Sequence, residues 1–408
     1  MMAHGTSIEE RLFRLAYPLG PLRRDLLPTT NAQWQALVDE AITHHVHIGL
    51  LENLHRAGVS RSLPAACRKR LMAESLAAAG YNLLYEAELD RLARELHDIA
   101  CVLLKGALLE DLYGSTRPQA DIDILVERSS YERARAGVER CGFTAVRDRS
   151  MPAKGVREFS KQVGQWEVPL DMHCALLNKT TFRRVTGFDS DAVWGRLRTV
   201  TVGPREFRCL ADEDALLYLS VHFAIQHEFR GLLHLMDLCL FVEQRVGAID
   251  WEAAVGIAKH LGGLPVLACI LDWVADLCQV ESGDRAWLDL RAHGARLRRI
   301  GPLRRATSLA WACGRHAWAH RRGVVRNYCS AATQYHLLDG LKRRALFVFE
   351  HCALTPRRLA KAFHLARPPW YLLPAVCGVG TMLGMQAAAA AMGLLEIQRL
   401  AQMRQQNR

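Results

Sequence analysis

The stretch DIDILV, Asp121 to Val126, alternates with a period of two, so that Asp121 and Asp123 share one face of a strand while Ile122, Ile124 and Val126 share the other. A strand patterned in this way has to bury its apolar face in a sheet, and the sheet needs further strands. CVLL around Val102 is a short apolar run that passes through Lys105 and Gly106 into a helical stretch reaching Tyr113. WEVPLDMHCAL sets Pro169, Asp171 and His173 on one face and Val168, Leu170 and Met172 on the other. Between them, SSYERARAGVERCGF reads as a helix capped at Ser129 or Ser130 and stopped at Gly142. Three strands and two helices therefore make a mixed unit over roughly 99–210.

Outside that unit the apolar period changes to three and four. It does so from Trp34 to Asp98, and again from LADEDALLYLSVHFAIQ through LLHLMDLCLFVEQ and DWEAAVGIAKHLGG. The expected fold class is α+β, a small mixed-sheet core embedded in a mostly helical chain. A length of 408 residues suits two or three domains, because single cores rarely grow past about 300 residues. The expected division is an N-terminal helical segment over 1–98, the sheet-bearing core over 99–210, a helical domain covering the cleft over 211–300, and a basic helical C-terminal region with an apolar tail over 301–408.

The twelve cysteines are scattered and form no C-x-x-C pair, which points to reduced thiols and not to a disulfide framework. The first twenty residues carry Glu9 and Glu10 and no long apolar core, unlike a secretory signal, so cytoplasmic residence is expected. Charge is uneven. Arg291 to Arg367 holds 17 basic residues against Asp339 and Glu350, an excess of +15 where the whole chain has +11, so the remainder sums to −4. Such a segment suits anionic lipid, nucleic acid or simply solvent. Pro368 to Leu395 follows with no charged residue over 28 positions. That is long enough to span a bilayer, but Pro374, Gln386 and many Ala and Gly leave three readings open: a span, a peripheral membrane contact through 357–395 at the inner face of the membrane, and a packed helical hairpin.

Two carboxylates two residues apart on a strand point to the same side, where they can clamp divalent cations for phosphoryl chemistry. Mg²⁺ or Mn²⁺ suits oxygen ligands of this kind. Lys105, Gly106 and Ala107 form a tight turn that opens a helix, whose backbone N–H groups can face a phosphate. HHVH, His44 to His47, has no acid or cysteine at zinc spacing and is not read as a metal site. His173, two residues from Asp171, is a candidate contact to a phosphate or a metal, with a histidine satisfied by a neighbouring carboxylate the alternative.

With its Gly turn, the thirteen residues from Leu108 to Ala120, the Asp-x-Asp pair and a later acid in LDMH, the chain resembles the DNA polymerase β-like nucleotidyltransferases. More closely it is similar to the bacterial group called nucleotidyltransferase family proteins, whose Lys-Gly and R-P-x-x-D-I-D motifs correspond here to LKGALLEDLYG and STRPQADIDILV. The likeness runs from about Trp34 to Gly263, and its helical pattern implies that His222, with Arg230 and Asp237, lines the cleft opposite the sheet, helix–helix hydrogen bonding being the alternative. Ala107 departs from the wider superfamily, which often has Gly or Ser there, so a hydroxyl contact to the triphosphate is lost.

The resemblance implies metal-dependent transfer of a nucleoside monophosphate from an NTP, with ATP the expected donor, to an acceptor hydroxyl, releasing pyrophosphate. It implies that Asp121, Asp123 and Asp171 hold the metals and that Asp171 helps to deprotonate the acceptor. Lys105 and Arg117 would neutralise phosphate charge, and Gly106 and Ala107 would admit the nucleotide. The acceptor is a small molecule, a protein or an RNA; no stacking aromatics of the usual RNA-binding kind favour the last. The alternative is a non-catalytic nucleotide-binding protein, or a membrane-associated accessory protein of a surface-polymer or modified-peptide pathway.

Overall fold

The computed structural model describes residues 7–19, 22–109, 112, 117–146, 155–188, 190–202, 205–314 and 324–352. Arg357, Arg358, Lys361, Arg367 and the apolar stretch 368–395 lie outside them. The described residues form one seven-stranded mixed sheet within a mostly helical chain, the α+β class that the periodicities predict. Its strands are β1 (Cys101–Leu103), β2 (Ile122–Val126), β3 (Thr144–Ala145), β4 (Val156–Val163), β5 (Trp166–His173), β6 (Leu197–Val202) and β7 (Arg205–Leu210). They lie in the order β3-β4-β5-β2-β1-β7-β6. The three strands read from the sequence are the contiguous centre, β5-β2-β1. The other four flank them; β4 (VREFSKQV) and β7 (REFRCL) carry three charged residues each, and β3 is only two residues long, which leaves little of the apolar alternation that marks a strand.

β2 runs parallel to β5, with Asp123 opposite Asp171, while β1 pairs antiparallel with β2 and parallel with β7. Residues opposite one another share a face, so one side of the sheet carries Asp123, Asp171 and His173 and the other carries Leu103, Ile124 and Met172. The apolar side meets the long helix Ala65–Glu95, whose Leu89 and Leu92 line a cavity together with Leu103 and Ile124. Lys161 of β4 reaches Glu88 of that helix at 2.6 Å, and Arg91 shares the same buried carboxylate. Over the acid-bearing side lies the helix Asp212–Val221, buried from Asp214 onwards on all its faces. One continuous hydrophobic core extends from Leu12 to Phe347.

Two ties fix the segment that leads into β2. Asn82 and Tyr81 of the long helix hold the backbone at Arg117, Gln119 and Ala120. Arg117, itself buried, makes two parallel 3.0 Å bonds to Asp237 of the helix Leu232–Arg245. Cys67, Cys101, Cys141, Cys239, Cys269 and Cys278 are free thiols. No described helix is long and apolar enough to cross a membrane.

The Arg117–Asp237 pair leaves a testable mark on stability. Truncating one partner strands a buried charge, so Arg117→Ala is expected to lower the unfolding free energy by about 3 to 5 kcal/mol in urea titrations. Arg117→Met combined with Asp237→Leu is expected to lose much less than the two single changes added together.

Candidate active site

Asp123 is the hub of the acid-bearing face. It sits within β2 with 2 % of its surface exposed, and its Oδ1 accepts from Lys105 Nζ at 2.7 Å and lies 2.8 Å from His173 Nε2. Burial pushes its carboxyl up, but the Lys105 ammonium and the His173 contact outweigh burial and hold it at about 2. Both contacts fall on Oδ1, which leaves Oδ2 for a further ligand.

Asp171 lies one strand away, in register with Asp123. Burial, followed by the nearby Asp123 charge, raises its carboxyl to about 6. Asp123, Asp171 and His173 bring ligand atoms within 4.8 Å of one another, and among the described residues they are the group able to hold a metal ion. Asp121 stands outside this group. It precedes β2 by one residue, and two steps along a strand cover about 6.7 Å, whereas neighbouring strands are only about 4.8 Å apart. Its carboxyl is raised by burial and by Asp123, and its field reaches Tyr81. The close pairing is thus across strands and not along one.

Of the helical stretch expected to reach Tyr113, Lys105–Leu109 is a 3₁₀ turn, Leu112 is helical, and 110, 111 and 113 lie outside the described residues. Lys105 itself takes a left-handed φ of 46°. Non-glycine residues rarely adopt that conformation, and here it swings the ammonium back over β2. Leu104 N–H donates to the Asp123 carbonyl and anchors the turn on the strand. Gly106 is there for space. A Cβ on it would come within 2.3 Å of Gln119 Oε1 and 2.9 Å of Arg117 Nη1. The Arg117 guanidinium, which sequence reasoning assigns to phosphate, is engaged by Asp237, Gln119 and the Pro118 carbonyl. It positions the segment before β2.

Above the clamp the chain departs from regular helix. His222–Gln226 is a π-helical turn, and Glu228 and Phe229 are consecutive left-handed residues. The Glu228 carboxylate meets Lys179, Arg230 and Ser330, and its carbonyl accepts from Trp311 Nε1 at 2.7 Å. This segment sets His222 and His227 with rings 4.5 Å apart and His227 and His234 with rings 4.1 Å apart. Burial and the Lys105 charge keep His222 far below the usual imidazole range. Burial, then His234, hold His227 at about 3. Of these, sequence reasoning singled out only His222. The signal for the others was a run of histidines inside an otherwise apolar helical stretch. Arg230, the other wall candidate, is turned to Glu228.

A mixed sheet presenting a buried and a half-buried acid, a histidine and an ammonium on one face defines an α+β protein with a candidate metal site. Residues 30–279 match a family described as an uncharacterised nucleotidyltransferase, and the chain belongs to that family. The matched span takes in the long helix, the whole sheet and the histidine-bearing segment. No curated protein and no solved structure matches the chain.

The raised Asp171 carboxyl carries a pH signature. The unfolded chain releases this proton near pH 4 and the folded chain near pH 6, so ionising Asp171 costs the fold stability as pH rises through that window, by about 2 to 3 kcal/mol in full. In metal-free buffer, Asp171→Asn is expected to raise the melting temperature at pH 7.5 and to change it little at pH 4.5. Asp123 has the opposite sign: its contribution is present above pH 4 and is lost as pH falls through about 2.

Proposed function

We propose that the protein is a metal-dependent nucleotidyltransferase that moves a nucleoside monophosphate from an NTP to an acceptor hydroxyl. The observation that carries this reading is the in-register pair Asp123 and Asp171, closed by His173 and faced by Lys105, in a chain of a nucleotidyltransferase family. The donor set fits Mg²⁺ or Mn²⁺. A buried and a half-buried carboxylate that repel each other gain from a divalent cation, and both metals favour oxygen ligands. Asp123 and Asp171 would hold it with Asp121 at the margin, while His173 keeps Asp123 oriented. The ion, when bound, would neutralise phosphate charge and polarise the reacting oxygens.

The residues themselves do the rest. Lys105 supplies a fixed cation against the phosphates, in a buried setting where charge acts strongly. Asp171, across from Asp123, helps to take the proton of the acceptor hydroxyl. The bond formed joins the acceptor oxygen to the α-phosphorus, the bond broken joins that phosphorus to the bridging oxygen, and pyrophosphate leaves with it. Gly106 keeps the turn close to Arg117 and Gln119, so the loop bearing Lys105 stays compact beside the entering nucleotide. The acceptor, a small molecule, a protein side chain or an RNA end, would approach Asp171 from the acid-bearing side of the sheet.

Calorimetry with a non-hydrolysable ATP analogue, with and without Mg²⁺, tests this. The wild type is expected to bind only with the metal, and Asp123→Asn to weaken binding roughly a hundredfold, about 2.7 kcal/mol. Binding that ignores Mg²⁺, or that is equal in the variant, would remove the clamp from the reading.

A further inference from the structure

The helix Asp212–Val221 is buried on every face from Asp214 to Val221, so each polar group on it needs a partner inside the protein. Asp214 has one, a two-bond pairing with Arg196 at 2.8 Å each. Tyr218 does not. Its side chain is fully buried, yet its hydroxyl has no hydrogen-bond partner among the described residues. Buried tyrosines ordinarily place that group against an acceptor, and leaving it bare costs folding free energy.

The surroundings say what the hydroxyl is waiting for. Its ring packs 5.6 Å from His222, and the charges that act on it are those of Lys105, Asp123, Asp121 and Asp171. Burial raises its own ionisation, so it stays a protonated donor through the working range. The phenol and the Lys105 ammonium, of which the latter already holds Asp123, are thus two donors set among the same acids. A group that enters between them must be anionic and rich in acceptor oxygens, which is the description of a phosphate. Ser220 also lacks a hydrogen-bond partner for its hydroxyl, but two residues on it lies about 200° round the helix from Tyr218 and cannot face the same space.

We propose that Tyr218 is a substrate-contacting residue whose buried hydroxyl donates a hydrogen bond to a phosphate oxygen of the bound nucleotide, alongside Lys105. This rests on the nucleotidyltransferase reading of the site and adds to it a residue on the covering helix, outside the sheet that carries the acids. It also gives that helix a direct part in binding: the phosphate is gripped between sheet and helix.

Tyr218→Phe removes the oxygen and nothing else, and two readouts on the full chain decide the matter. Without ligand, the melting temperature is expected to hold or rise, because an unpartnered buried hydroxyl has gone. With Mg²⁺ and the non-hydrolysable ATP analogue, the dissociation constant is expected to rise roughly 10- to 100-fold, the effect of one hydrogen bond to a charged group. Adenosine, which lacks phosphate, is expected to bind the two proteins equally. A clear fall in melting temperature, or failure to fold, would show that the hydroxyl serves a structural bond and would overturn the proposal. Equal affinity for the analogue in the two proteins would overturn it while leaving the nucleotidyltransferase reading intact. A wild type that binds no nucleotide with Mg²⁺ would sink both.

Discussion

A carboxylate with 2 % of its surface exposed stays ionised only where other groups replace the water it has lost, and Asp123 meets that condition through the Lys105 ammonium and the His173 ring. Much of the neighbouring structure serves to hold those contacts. The 3₁₀ turn with its left-handed Lys105 brings the ammonium down onto β2, and the parallel pairing of β2 with β5 brings Asp171 and His173 alongside. The same pairing sets two acids side by side. One is held near 2 and the other near 6, so the clamp keeps one carboxylate charged and one close to exchanging a proton at neutral pH.

The helical layer above the sheet is joined to this clamp by polar ties as well as by apolar packing. Arg117 joins the entry to β2 to the helix Leu232–Arg245 through Asp237, and the strained turn after His222 is pinned by Glu228. Polar ties of this kind select one arrangement of two layers, because any shift leaves a charge without its partner. A site built between layers needs that selection more than it needs stability.

Part of this was legible in the chain. The period-2 runs DIDILV and WEVPLDMH specify which residues share a face, since alternation admits one solution once the apolar side is buried. The long helix and the helices after Leu210 follow from their three-and-four spacing. The flanking strands did not show, because β4, β6 and β7 carry charged or polar residues at many positions and their pattern is weak. Arg117 takes its phosphate role from the resemblance, and only the fold shows its two bonds to Asp237, 120 residues away.

By itself the sequence determined the α+β class, the set of acids on one strand face and the Lys-Gly turn beside them, because local periodicity and backbone preference act over a few residues. It could not decide which acids meet. Along β2 the two aspartates are two residues apart, but the shorter distance runs across to β5, and strand order is set by long-range pairing that no local pattern encodes. The place of Tyr218 and the histidines was likewise a tertiary decision. Their proximity to Lys105 depends on how a buried helix lies over a sheet, and that is settled by packing between segments more than a hundred residues apart.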